Sequence, residues 1–163
     1  MESRNMDNGA GAVRFVIMSD LHLSKKPWQV RRALRMGAGA DGVLLAGDLT
    51  NDGTPAQMAL MQQCIADCLP DTPVFAVAGN HDYPYQPSPM IREGMCDYPA
   101  LQDWLLKRQP YLYELDDSSA YAVRVRDAEI IGLNCVWHWR RFKFLDGAQL
   151  RWLESHLNST DAK

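Results

Sequence analysis

Three short apolar runs constrain this chain more than anything else in it, because each one stops abruptly in a polar cluster. Val13-Arg14-Phe15-Val16-Ile17-Met18 runs into Ser19-Asp20-Leu21-His22. Val43-Leu44-Leu45-Ala46 runs into Gly47-Asp48-Leu49-Thr50-Asn51-Asp52-Gly53. Val74-Phe75-Ala76-Val77-Ala78 runs into Gly79-Asn80-His81-Asp82. Runs of this length, rich in β-branched and aromatic residues and bounded by turn residues, read as buried strands. Helical patterns separate them. Pro27 opens a helix that continues to residue 36, with Trp28, Arg31, Arg32 and Arg35 at roughly helical intervals and the arginines forming a solvated face. Thr54 is an N-cap and Pro55 a first helical residue, and Met58, Met61, Ile65 and Leu69 form one apolar stripe of a helix reaching about residue 68. Strand–helix–strand–helix–strand is the pattern of a parallel sheet covered on both faces. Its three polar clusters then share the carboxyl edge, where open α/β sheets bind ligands.

The remainder reads differently. Tyr83-Pro84-Tyr85-Gln86-Pro87-Ser88-Pro89 is a loop that no ladder or helix tolerates. A helix is expected over residues 99–109, with Leu101, Trp104 and Leu105 inward. Strands are expected over residues 111–115, 121–126 and 129–134, joined as an antiparallel meander by Asp116-Asp117-Ser118-Ser119 and Asp127-Ala128. A last helix spans residues 147–157, with Leu150, Leu153 and Leu157 on its inward side and His156 on its polar face. Residues 1–12 read as a flexible leader, 13–157 as a single domain and 158–163 as a polar tail.

The totals exclude several classes. The chain has 163 residues and a formal net charge of -3, so no global field draws it to nucleic acid or to an anionic membrane. No apolar run reaches the length of a membrane span, and residues 1–12 have no apolar core of a secretory signal. The four cysteines include no C-x-x-C; Cys64 and Cys68, four apart on a helix, read as buried free thiols. The compartment implied is the cytoplasm.

Asp20 and His22 lie two apart on an extended segment, so both side chains can point the same way. With Asp48, Asn80 and His81 they collect carboxylate, imidazole and amide donors at one edge. Such donors suit Mn²⁺, Fe²⁺ or Zn²⁺. Asp48, on the central strand, is placed to bridge two ions, and a pair of ions polarises a phosphoryl group and acidifies a bridging water.

In these blocks (Asp20-Leu21-His22, Gly47-Asp48 and Gly79-Asn80-His81-Asp82) the chain resembles the calcineurin-like metallophosphoesterase superfamily. Gly147, Gln149, Trp152 and Leu153 match a further habit of that family. The resemblance implies a two-sheet α/β sandwich flanked by helices and a dinuclear metal centre. It implies Asp20 and His22 on the first ion, Asp48 bridging, Asn80 on the second ion, and His81 not as a ligand but as the acid that protonates the leaving alkoxide or as a group acting through a positioned water. Asp82 would orient His81 or cap the next segment. Asn51 stands where many members carry an aspartate that backs this histidine.

The family's later histidine pair and Gly-His-x-His block have no counterpart before Lys163, so the C-terminal part of the sandwich is expected to be missing. A fragment is the favoured explanation. A dimer or second chain covering the open sheet edge is another, and a relative without catalysis is a third. The block Gly47-Asp48-Leu49-Thr50-Asn51-Asp52-Gly53 lacks the arginine of the protein-phosphatase branch and looks closer to phosphodiesterases. The expected function is therefore metal-dependent hydrolysis of a phosphodiester, with a nucleotide among the candidate substrates. The alternative is a non-catalytic or partner-completed metal- or protein-binding domain. Tyr83, His138 and Arg140, with the loops around them, are the expected substrate walls.

Overall fold

A computed structural model describes residues 12–83, 98–115, 120–136 and 145–161. The leader, the proline-rich loop with Cys96, and the segment carrying His138 and Arg140 lie outside the described residues. Strands β1 (Phe15–Met18), β2 (Gly42–Ala46) and β3 (Val74–Val77) form a parallel sheet in that order. Two helices connect them: α1 (Trp28–Arg35) and α2 (Pro55–Cys68). The α2 start follows from its chemistry. Thr54 Oγ1 accepts the Gln57 N–H at 3.3 Å, and Pro55 occupies a position that has no N–H to lose.

Helix α3 (Tyr98–Arg108) leads into an antiparallel meander of β4 (Tyr113–Leu115), β5 (Tyr121–Val125) and β6 (Ala128–Gly132). The β5–β6 turn falls at Arg126 and Asp127, one residue earlier than the sequence suggested, and Arg126 takes a left-handed φ of 59°. Helix α4 (Gly147–Ser159) follows, capped by Asp146, whose Oδ1 accepts the N–H groups of Ala148 at 2.9 Å and Gln149 at 2.8 Å. It runs two residues past the expected end at Leu157.

Strand alternation divides the interior into two layers. Val43, Leu45, Val74 and Ala76 point to one side of the parallel sheet and pack with Leu34, Met58, Met61, Ile65 and Leu69 of α1 and α2 and the turn beyond them. Leu44, Phe75, Val77 and Phe15 point to the other side and pack against Tyr121, Val123 and Val125 of β5. The chain is thus an α/β sandwich of a parallel and an antiparallel sheet. Ile17, on the second side of edge strand β1, is 69% exposed. Cys64 and Cys68 are buried free thiols in the helical layer, as their spacing implied.

Helix α4 corrects the sequence reading. Leu150 and Leu157 are 48% and 53% exposed, while Gln149 is 2% exposed and the His156 side chain 12%. The inward face is Gln149, Trp152, Leu153 and His156. The Glu129 side chain is 11% exposed, and a leucine stripe laid over it would leave that carboxylate without the imidazole it faces here. His156 Nδ1 lies 3.2 Å from Glu114 Oε2 and Nε2 lies 3.0 Å from Glu129 Oε1. Trp152 stacks on His156 and donates its indole N–H to Glu114 Oε1 at 2.9 Å.

Candidate metal centre

The parallel ladder outlives its strands. Beyond β1 and β2 the Asp20 N–H donates to Gly47 O at 3.1 Å, His22 N–H to Asp48 O at 3.0 Å and Leu23 N–H to Leu49 O at 2.9 Å. Leu23 and Thr50 close it with an isolated parallel bridge. Two polar loops are thereby zipped side by side. Asp20, His22 and Asp48 pay out their backbone in the left-handed region, with φ of 55°, 43° and 51°. That conformation is uncommon without glycine and gathers at functional sites.

The result is a cluster. One ligand atom from each of Asp20, His22 and Asp48 falls within 4.8 Å of the others. Two carboxylates and an imidazole, partly open to solvent, form a donor set that fits a divalent cation of the Mn²⁺, Fe²⁺ or Zn²⁺ kind. No other group of three such side chains converges among the described residues.

The β3 loop supplies the other side. Asn80-His81-Asp82 forms a single 3₁₀ turn after Gly79. The His81 ring meets the His22 ring edge-on, with centroids 4.6 Å apart. Its Nδ1 lies 2.7 Å from the backbone oxygen of Asn51. A carbonyl only accepts, so Nδ1 carries the proton and Nε2 is the nitrogen left for chemistry. The Asn51 side chain takes no part in this contact, since its Nδ2 donates to Asp52 Oδ1. Asp52 is held below the usual carboxylate range by the amide of Gln57 first, then by Asn51, with the nearby His81 adding to it. Asn51 thus supports His81 through its main chain.

Asp82 ties the β3 loop to the β2 loop. It is fully buried and accepts from the N–H groups of Gly79 at 2.9 Å, Leu49 at 3.1 Å and Thr50 at 2.8 Å, and from the Thr50 hydroxyl at 3.1 Å. Burial pushes its carboxyl up, and these hydrogen bonds oppose the rise. Thr50, also fully buried, was not singled out in the sequence; a threonine between two candidate ligands carries no signal by itself.

Asp20, Asp48 and Asn80 line a cavity of about 260 Å³, closed on the far side by Leu133, Cys135 and Val136 beyond β6. That far wall hangs on α4. Buried Gln149 accepts the Asn134 N–H at 2.9 Å and donates to Asn134 O at 2.7 Å, and Asn134 Oδ1 accepts the Val136 N–H at 3.0 Å. Tyr83 is 8% exposed and packs in the helical layer beside Tyr98. It is part of the core under the site, not an open wall. His138 and Arg140 lie outside the described residues.

A family model for calcineurin-like phosphoesterase matches residues 13–162 of the chain. No curated protein matches it.

Proposed function

The chain belongs to the calcineurin-like phosphoesterase family, and from that membership we propose that it is a metal-dependent phosphoester hydrolase acting on phosphodiesters through a dinuclear centre. The observation that carries this reading is the convergence of Asp20, His22 and Asp48 to within 4.8 Å on two zipped loops. In it, Asp20 and His22 would hold one cation, Asp48 would serve both, and Asn80 would hold the second. Divalent cations bound there supply Lewis acidity to a phosphoryl oxygen and lower the pKa of a coordinated water.

The chain's own residues do the rest. The Asn51 carbonyl holds the proton on His81 Nδ1, so Nε2 is the ring nitrogen through which a protonated His81 would pass a proton to the departing alkoxide as the P–O bond breaks. The cavity beside Asp20, Asp48 and Asn80 receives the phosphoryl group, and Leu133, Cys135 and Val136 present a largely apolar wall to the leaving alcohol. A diester is favoured by the block Gly47-Asp48-Leu49-Thr50-Asn51-Asp52-Gly53, which looks closer to phosphodiesterases than to the protein-phosphatase branch.

Hydrolysis of bis-p-nitrophenyl phosphate with added Mn²⁺ tests the reading. Wild-type chain is expected to turn over, and Asp48→Asn to lose about 100-fold or more in kcat/KM, the scale of removing an electrostatic partner of the transition state. Turnover by wild type that Asp48→Asn leaves intact would remove Asp48, and the metal assignment with it.

A further inference from the structure

The two halves of the centre are held together by different means. Asp20 and His22 are aligned with Asp48 by the backbone ladder that continues from Asp20 to Leu23. Nothing equivalent joins Asp48 to Asn80, because the β2–β3 pairing ends at Ala46 and Val77. What joins them is an exchange of carboxylates. Asp82, on the β3 loop, reaches across to the N–H groups of Leu49 and Thr50 on the β2 loop while holding Gly79 of its own. Asp48, on the β2 loop, reaches back, and its Oδ1 accepts the His81 N–H at 2.9 Å. Asn80 lies between the two anchor points. The loops touch so closely that a Cβ on Gly79 would run into Asp48 N and Oδ1.

A fully buried carboxylate is costly unless its lone pairs are filled. Here the donors filling them come from both loops, so separating the loops strips Asp82 of its Leu49 and Thr50 donors. The clasp also sets the Asp48 carboxylate before any cation arrives, with one oxygen committed to His81 N–H.

We propose that Asp82 is the positioning residue for the Asp48–Asn80 half of the centre, setting the spacing of the two side chains that share the second ion, while the ladder aligns the backbone of the Asp20–His22–Asp48 half. The proposal rests on the two-ion reading above. It assigns Asp82 a role in metal loading that no contact with a cation is needed to perform.

Mn²⁺ titration of the full chain, followed by the electron paramagnetic resonance of free Mn²⁺ and of exchange-coupled pairs, tests it. Wild type is expected to take up two ions and develop the coupled signal. Asp82→Asn presents an amide N–H₂ to backbone donors; it should weaken the second ion by about tenfold or more, keep the first within about threefold, and lose the coupled signal. Thr50→Val, which removes the hydroxyl that donates to Asp82 and accepts the Gly53 N–H but leaves the Leu49 and Thr50 N–H donors to Asp82 in place, should weaken the second ion by a smaller factor, and it carries the comparison if circular dichroism finds Asp82→Asn unfolded. Equal weakening of both ions in the variants, or an unchanged second ion, overturns the positioning role while leaving the hydrolase reading in place. A wild-type chain that binds one ion and still hydrolyses bis-p-nitrophenyl phosphate overturns the two-ion premise and this proposal together.

Discussion

At the candidate centre, residue conformation is spent on geometry. Left-handed φ at Asp20, His22 and Asp48 costs on the order of 1–3 kcal/mol each. The ladder bonds from Asp20, His22 and Leu23 to Gly47, Asp48 and Leu49 over-determine the two loops and keep that strain in place. Glycine is required at two points of this arrangement. Gly47 has φ of 91° and lies against the Gly79 backbone, and Gly79 leaves room for Asp48. Gly79→Ala forces Asp48 or the β3 loop to move, since the obstructing atoms include backbone and not only a flexible side-chain end. The expected outcome in urea denaturation is a loss of about 1–3 kcal/mol. Mn²⁺ affinity should fall in parallel, because the displaced carboxylate is a proposed ligand. An unaltered unfolding midpoint would contradict the close approach.

At the scale of elements, α4 is attached to the antiparallel sheet by polar contacts more than by leucines. The trio of Glu114, His156 and Glu129, with Trp152 stacked on the imidazole, binds the helix to β4 and β6. Burial by itself pushes Glu129 up. Hydrogen bonds from Thr160 and His156, with the charges of His156 and Arg124, outweigh it and leave the carboxyl below its ordinary 4.5. A carboxylate with a depressed folded pKa contributes stability that is fully present above its unfolded pKa and is lost as pH falls through the folded value. Thermal unfolding followed downward from pH 7 is therefore expected to show a Glu129-dependent loss that begins near pH 4.5, and Glu129→Gln should flatten that limb. The effect at neutral pH is expected to be about 1 kcal/mol or less. An acid limb of the same slope in the variant would mean that the ion pair does not hold the helix.

For the whole molecule, the parallel sheet is the shared wall of two cores, one filled by the helices and one by the antiparallel sheet. The proposed metal ligands sit where the loops of that wall emerge, so a cation bound there would link its binding to folding. A ligand that binds only the folded chain stabilises it by about 2.7 kcal/mol at 100 times its dissociation constant. Mn²⁺ in excess is expected to raise the melting temperature by several degrees, EDTA to reverse the rise, and Asp48→Asn to abolish the difference. A rise of equal size in Asp48→Asn would place the cation elsewhere. Among the described residues no helix is long and apolar enough to cross a membrane.

The order of strands and helices, the cap at Thr54 and the three polar strand ends follow from the sequence by itself. Local chemistry sets each of them: strand-forming runs, capping hydroxyls and glycines act over a few residues. Asp20, His22, Asp48, Asn80 and His81 were legible as candidates for the same reason. Only the tertiary structure decided what depends on residues far apart in the chain. It set Asn51's carbonyl behind His81, thirty positions away, and turned α4 to face two glutamates where its own periodicity offered three leucines. It also gave Asp82 its partners in the loop at Leu49 and Thr50, a pairing of backbone donors that no side-chain pattern encodes. Buried polar groups must find partners wherever the fold brings them, and that requirement operates between segments that sequence proximity does not connect.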